Sequence, residues 1–507
     1  MEIGVDKIKK SRLKFVQKLI LSIDQGTTSS RSILFNLKGK KIFSSQYEFK
    51  QIFPNPGWVE HNPNEIWKVT LKTIKESIKK SKLLKSKIIS IGISNQRETT
   101  ILWNKKTGKP VYNAIVWQDR RTQKICQNLK KRKLENSFRK KTGLFIDPYF
   151  SATKIKWILE NVGDAKRLYR NKQLLFGTID TFLIWRLTNK KKHLTDATNA
   201  SRTLMFNINS NKWDNEILKK LKISKTILPE VKDSADDFGK TSKKIIGEEI
   251  PINAVLGDQQ AAAVGQACFE KGSVKSTYGT GAFVIMNTGN KKILSKNKLL
   301  TTICYRLKNK NTYALEGSIF IAGAGVQWLR DKMKLINNAN ETEKIIKSKI
   351  NNDGIYIVPA FTGLGAPYWS PNSRGIITGL TRNTDWQNLV RAIIESVAYQ
   401  SYDLLDSMKK DGSQPKVIKI DGGMVTNDWF VQFLSDIINI NILKPVNHET
   451  TALGVAFLAG YQIGEFKSLT EIKRIWKKKT MFTPKMSRKL RNNLLQGWQQ
   501  AIRKTLA

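Results

Sequence analysis

Cysteine and histidine are scarce in this chain, with three of each among 507 residues. Cys126, Cys268 and Cys304 are widely spaced. That spacing excludes a disulfide framework and a cysteine-rich zinc site, and it implies a reducing, cytoplasmic setting. His61, His193 and His448 are equally scattered. Neither a histidine metal site nor a Ser-His-Asp relay is expected, and each histidine reads as a surface or turn residue. No apolar run approaches the roughly 20 residues of a membrane-spanning helix. The first eighteen residues are basic (Lys7, Lys9, Lys10, Arg12, Lys14 and Lys18) but lack the apolar core of a signal peptide. Glu2, Asp6 and the sparse serine argue against a transit peptide, so residues 1–17 read as a basic extension. Negative charge is also short: 41 Asp and Glu face 88 Lys and Arg, a net charge of +47. Binding to nucleic acid or an acidic membrane would account for such an excess. The lysines are spread along the whole chain, however, and no nucleic-acid motif accompanies them. Lys, Ile and Asn share A/T-rich codons, so we assign the excess to genome composition and expect no nucleic-acid partner. The usual nucleotide fingerprints are missing as well. Gly239-Lys240-Thr241 has Ser234 where a P-loop needs glycine, and Gly279-Thr280-Gly281 has Val284 where a dinucleotide fingerprint needs its third glycine.

What the chain does contain is a pair of related hairpins. Leu19 to Asp24 is an apolar strand ending in a carboxylate, followed by the short turn Gly26-Thr27-Thr28 and a second strand to Phe35. One carboxylate, two hydroxyls and flexible backbone at a tip suit a metal-bound triphosphate. A relative of this pattern recurs at Ser276 to Ile285, around Gly279-Thr280-Gly281. Two such hairpins, in a chain long enough for two large domains, suggest similar halves closing on one nucleotide.

The segments between them read as α/β. Trp67 to Lys82 has the pattern of a basic amphipathic helix, and Ile88 to Ile93 that of a buried strand running into Ser94-Asn-Gln-Arg97-Glu98. Ala114 to Trp117 reads as a strand, Ser151 to Asn161 and Ile179 to Leu187 as helices. A strand ends at Asp258, which opens a helix of small residues. Ala322 to Gly325 reads as a turn, Thr384 to Met408 as a helix, and Val417 to Ile420 as a strand leading to Asp421-Gly422-Gly423 and a helix to Ile438. Polar residues gather where α/β sheets place ligands, at strand ends. Arg97, Glu98 and Asp258 beside an aromatic such as Trp117 would suit a small polyol. Carboxylates accept from hydroxyls, arginine donates, and the ring covers the C–H face. Asp258 could take a hydroxyl proton during phosphoryl transfer, or simply cap its helix; both roles are open to a strand-end aspartate.

These residues together resemble the glycerol kinases of the FGGY carbohydrate kinase family. The resemblance runs from about Lys18 onward. It is carried by Asp24 to Arg31, Gly57 to His61, Ser94 to Thr100, Trp117 to Thr122, Pro148 to Lys154, Gly257 to Gln260, Thr277 to Gly281, Glu316-Gly-Ser, Pro359 to Trp369, Gly375 to Glu395 and Asp421 to Gly423. It implies two actin/hexokinase-like (ribonuclease H-like) α/β domains, residues 18–265 and 266–507, with the active site in the cleft between them. It implies glycerol contacts from Arg97, Glu98, Tyr149 and Asp258, with Trp117, Gln259 and Phe283 lining the pocket. ATP would be met by Thr27, Thr28, Ser29, Thr280, Gly323, Gln327, Gly423 and Asn427. Asp24 would hold Mg2+ through water, Arg31 would lie near the transferred phosphate, and Asp258 would be the general base. A homo-oligomer, dimer or tetramer, is implied too. Another FGGY polyol or sugar kinase, or an actin/Hsp70-type ATP-driven clamp, are the competing readings; the Arg97–Glu98 and Asp258 set is what a clamp would not need. The chain departs from the family at Asp119, where relatives often carry cysteine, and at Ala152, a common glycine. Between Val231 and Pro251, where many relatives bind fructose 1,6-bisphosphate through a basic loop, it has Asp233, Asp236, Asp237, Glu248 and Glu249. Weak or absent inhibition by that sugar phosphate is therefore expected. No histidine lies between His193 and His448, so control by histidine phosphorylation in this region is not expected.

Overall fold

A computed structural model describes residues 16–349 and 351–507. Most of the basic extension read at 1–17 lies outside the described residues. The first half is built on a five-stranded sheet. Strands β1 (Lys18–Gln25), β2 (Ser29–Asn36) and β3 (Lys41–Glu48) form an antiparallel meander, helix α1 spans Pro63–Leu83, and β4 (Lys87–Asn95) returns parallel to β1. Helices α2 (Ser151–Asn161) and α3 (Ile179–Leu187) follow. Strand β5 (Ile252–Gly257) then adds parallel to β4, and helix α4 covers Asp258–Gly265. The spatial order is β5-β4-β1-β2-β3. Each element follows from local pattern. Asn62 accepts from the Asn64 amide and Pro63 sits at the first turn, so α1 starts there, with Ile66, Ile74 and Ile78 turned inward and its lysines outward. Strand β4 is buried along nearly its whole length, as a strand with parallel neighbours on both sides should be.

The second half repeats the plan. Strands β6 (Ser273–Tyr278), β7 (Ala282–Gly289), β8 (Leu300–Leu307) and β9 (Lys310–Ile319) are followed by helices α5 (Gly323–Asp331) and α6 (Trp386–Lys410). Strand β10 (Val417–Asp421), helix α7 (Asp428–Ile438), β11 (Ile442–Pro445), α8 (Thr450–Gln462) and β12 (Lys478–Phe482) complete it. The order is β8-β9-β7-β6-β10-β11-β12. In both sheets the hairpin strand that carries the polar tip has a parallel neighbour on its other side: β1 against β4, and β6 against β10. The two sheets thus present their hairpin tips and parallel strand ends as equivalent features.

Two expectations are corrected. Of the strand read at Ala114 to Trp117, only Ala114–Ile115 is extended in a ladder, because its partner Glu60–His61 is two residues long. The turn read at Ala322 to Gly325 instead opens α5. The carbonyls of Gly279 and Thr280 accept from the amides of Gly323 and Ala324 at 2.9 Å each, satisfying the free donors of a helix start.

The halves are locked where α4 crosses α8. A Cβ on Gly454 would lie 1.8 Å from the Ala261 carbonyl oxygen, and one on Gly265 would lie 1.9 Å from that of Thr450. Only glycine permits backbones to come this close. Helix α8 also presses on β4, where a Cβ on Gly92 would meet the Val455 carbonyl oxygen at 2.4 Å. Among the described residues no helix is long and apolar enough to cross a membrane.

Candidate active site

The first hairpin tip is closed by the Gly26 amide donating to the Ser29 carbonyl at 2.9 Å. Asp24 stands at the end of β1. Its Oδ1 accepts from Ser94 Oγ at 2.8 Å and its Oδ2 from Arg31 Nη2 at 2.6 Å. Arg31 Nη1 reaches Glu449 Oε2, just before α8, at 2.7 Å. Burial opposes the charge on Arg31, but Asp24 and Glu449 more than offset it and raise its pKa. Thr27 Oγ1 accepts from Trp117 Nε1 at 3.0 Å, and Ser29 Oγ from Gln46 at 3.1 Å. Thr28 is exposed at the tip.

His61, read as a surface residue, is fully buried behind this hairpin. Its Nε2 pairs with Gln51 Oε1 at 2.7 Å, and the Gln51 amide donates to the Thr27 carbonyl at 3.1 Å. Burial pushes the imidazole down to about 4, so it stays neutral. His61 is therefore a prop for the tip. His193 is likewise largely enclosed and pairs through Nε2 with the Phe176 carbonyl at 2.8 Å; only His448 is exposed.

Strand β4 delivers Arg97 and Glu98. Glu98 has φ +59°, the left-handed region, and its carbonyl accepts from Ser151 Oγ at 3.0 Å and Thr100 Oγ1 at 3.1 Å. Strained backbone of this kind clusters at functional sites. Arg97 Nε lies 3.2 Å from Asp258 Oδ1 and 3.8 Å from Glu98 Oε1. Asp258 does not cap its helix: Gly257 is the N-cap and Asp258 the first helical residue. The Asp258 carboxylate, about one-third exposed, accepts from Gln259 Nε2 at 3.0 Å. Gln259 Oε1 in turn accepts from the fully buried Lys275 Nζ at 2.5 Å. Alternation along β6 puts Lys275 on the polar face with Ser273 and Thr277, yet the strand is buried on both faces, and its partner is legible only in three dimensions. Trp117, Tyr149 and Phe283 complete an aromatic wall. The Trp117 ring is 5.7 Å from Tyr149 and 6.0 Å from Phe283, both edge-on. Phe283 comes from the second half, so the wall spans the cleft.

Beyond the second hairpin lies a cavity of about 350 Å³. Thr280, Gly323, Gln327, Gly423 and Asn427 all line it, beside Tyr278, Arg330 and Thr342. A Cβ on Gly323 would sit 2.7 Å from the Gly279 carbonyl oxygen, whereas nothing lies within 4 Å of one on Gly423, which faces open space. Gly422, at φ +99°, packs against Tyr278. Asp421 does not line this cavity. It accepts from Thr277, from Gln266 at 3.1 Å and from Thr450 at 2.5 Å, and so ties β10 to α8. Arg330, Asn340, Thr342 and Thr426 line the cavity without any signal in the sequence beyond their polarity.

Comparison with known proteins gives the family. Residues 19–265 match the N-terminal domain of the FGGY family of carbohydrate kinases and residues 274–463 its C-terminal domain. The chain belongs to the FGGY family of carbohydrate kinases. A glycerol kinase of Marinomonas sp. is 56% identical over 483 residues, 95% of this chain and 98% of the relative. One from Petrotoga mobilis is 52% identical over 488 residues, 96% and 98% of the respective chains. The crystal structure of Plasmodium falciparum glycerol kinase with ADP superposes with a TM-score of 0.92 at 40% identity, covering 97% of this chain and 99% of the other.

Proposed function

We propose that this FGGY kinase transfers the γ-phosphoryl group of ATP to glycerol, giving sn-glycerol 3-phosphate and ADP. The observation that carries the reading is the Arg97–Glu98–Asp258 constellation, closed by three aromatic rings and flanked by the hairpin of Thr27. We assign residues 18–265 to a polyol- and phosphate-binding domain and 266–507 to a nucleotide-binding domain.

Arg97 and Glu98 take the hydroxyls of glycerol, and Trp117, Tyr149 and Phe283 cover its C–H surface, leaving room for a three-carbon chain. Asp258 accepts the proton of the reacting hydroxyl as its oxygen bonds to the γ-phosphorus and the bond to the bridging β–γ oxygen breaks. Gln259, backed by Lys275, orients that carboxylate. Thr280, Gly323, Gln327, Gly423 and Asn427 hold the nucleoside end of ATP, while Thr27, Thr28 and Ser29 offer hydroxyls and amides to its phosphates. Arg31 faces the transferred group and lowers the cost of its developing charge. Among the described residues no three His, Cys, Asp or Glu side chains gather as a metal cage. A single carboxylate, Asp24, fits Mg2+ carried mainly by water and phosphate oxygens, and that ion would neutralise phosphate charge. Closure of the halves excludes water and suppresses ATP hydrolysis. Three unpaired, buried thiols suit a reducing cytoplasm. A homo-oligomer rests on the family likeness alone.

ADP release from Mg-ATP, measured with and without glycerol, tests the reading. Glycerol-dependent turnover is expected, and Asp258→Asn is expected to lower kcat by about 10²–10⁴-fold. Turnover indifferent to glycerol, or an Asp258→Asn enzyme with wild-type kcat, would overturn it.

A further inference from the structure

Behind Glu98 lie two charged residues to which neither the family match nor the reaction assigns a role. Arg202, just after the short helix Ala197–Ala200, is wholly buried, as is Glu316 on β9 of the other half. Arg202 Nε donates to Glu98 Oε1 at 2.5 Å, and its Nη2 lies 3.3 Å from Glu316 Oε1. Arg97 closes the ring, donating through Nη1 to Glu316 Oε2 at 2.7 Å and through Nη2 to Oε1 at 2.8 Å. Two guanidiniums and two carboxylates cancel, all at most 3% exposed. The Arg202 guanidinium also sits 5.3 Å from the ring centres of Tyr149 and Phe150.

We propose that Arg202 and Glu316 are positioning residues of opposite effect, which together fix the geometry of the Glu98 carboxylate that receives glycerol, Arg202 favouring its negative charge and Glu316 opposing it. This rests on the glycerol-binding role proposed for Glu98. A carboxylate at 1% exposure would ordinarily hold its proton. As a protonated acid, Glu98 would lose acceptor capacity toward substrate hydroxyls. Burial raises its pKa; Arg202 opposes this most strongly, then Arg97, while Glu316 adds a like charge that raises it further. Glu316 itself is held down to about 2 against burial, by Arg202 and then Arg97. The other titratable groups facing Glu98 are Tyr149, whose phenol burial keeps protonated, and Lys154, pushed down to about 7 by burial, with its Nζ on the Tyr149 carbonyl at 2.7 Å. Asp258 is reached only through Arg97. Glu316 stands opposite Ile285 on the ladder that also places Phe283 opposite Ser318. The polyol grip of the first half is thereby keyed to the strand that supplies its aromatic lid from the second.

The test is the pH dependence of kcat/KM for glycerol in the full-length enzyme. Glu98→Gln is expected to raise KM for glycerol and to leave an acid limb set by the base Asp258 alone. Arg202→Met should raise that KM by about tenfold or more, the effect of losing a hydrogen bond to a buried charge. KM for ATP should stay within about twofold. It should also move the acid limb to higher pH, while Arg202→Lys, which keeps the charge without the planar fork, should return the limb toward wild type. Glu316→Gln, nearly isosteric, should move the limb to lower pH. Opposite displacements are what a merely structural pair would not produce. If Glu98→Gln leaves KM for glycerol unchanged, the reading of the site fails and this inference with it. If Glu98→Gln behaves as stated but Glu316→Gln does not move the limb to lower pH, or a folded Arg202→Met does not move it to higher pH, the inference alone is overturned. Should Arg202→Met not fold, Glu316→Gln still decides.

Discussion

Replacing Gly454 by alanine should both loosen the fold and slow the chemistry. The new Cβ would lie 1.8 Å from the Ala261 carbonyl oxygen, 2.7 Å from its carbon and 2.9 Å from the Gly265 amide nitrogen. These are backbone atoms of a helix, so no side chain can swing away. Reaching an ordinary contact of about 3.5 Å requires α4 and α8 to separate by more than an ångström. Overpacking of this kind costs about 1–3 kcal/mol. For domains near 250 residues that is a fall in Tm of roughly 2–12 °C. The kinetic effect follows from what the helices carry. Helix α4 begins at Asp258, and α8 is preceded by Glu449, which holds Arg31. A 1 Å displacement of reacting groups costs on the order of 10²-fold in rate. Scanning calorimetry and saturating kcat measure the two effects. Gly163→Ala is the control, because nothing lies within 4 Å of its added Cβ. Gly265→Ala, blocked by the Thr450 carbonyl from the other side of the crossing, should fail similarly, and the double variant should be less than additive. A Gly454→Ala enzyme with the Tm and kcat of the Gly163→Ala control would refute the idea that this crossing fixes the base against the phosphate site.

Other outcomes follow from buried charge. Asp119 is fully buried; it accepts from the Val59 amide at 2.6 Å and grips Arg121, which lies 3.8 Å from the Trp58 ring. Asp119→Ala should therefore destabilise the fold by about 3–5 kcal/mol, since it leaves a buried guanidinium partly unpaired; a denaturation midpoint equal to wild type would contradict this. Asp180, fully buried with Thr178 and Thr195 donating to it, is pushed up to about 7 by burial. The folded chain then keeps a proton that the unfolded chain releases, so this group's contribution declines as pH rises through the interval up to about 7. Asp180→Asn should gain on wild type by about 1.4 kcal/mol per pH unit between pH 5 and 7, and parallel urea midpoints across that range would disprove it. In the 231–251 segment, Asp233 neutralises the largely buried Arg306, and Glu248 pairs with Lys82 at 2.8 Å. Fructose 1,6-bisphosphate should accordingly leave steady-state kinase activity unchanged, and submillimolar inhibition would count against this.

How much of this was legible in the sequence depends on the range over which each signal acts. The hairpins, the strand end at Arg97 and the strand-to-helix turn at Asp258 are local patterns of alternation, glycine and polarity, and they stand where the pattern puts them. The start of α5 was not legible because its amides are capped by Gly279 and Thr280, which lie some forty residues earlier in the chain. His61 misled for a related reason. A single histidine in an irregular stretch carries no periodicity, and its packing against Phe49, Gln51 and Gln96 shows that it is interior. The charge ring is the extreme case: Arg97 and Glu316 are separated by 219 residues and meet only because two sheets face one cleft. The sequence shows Arg97 past a strand end and Glu316 on a strand with nothing to pair them, yet burial makes each charge costly without its partners. A residue that acts on substrate directly can be picked out by its place at a strand end. One that acts through another residue is defined by partners across the chain, and so it becomes visible only once the halves are assembled.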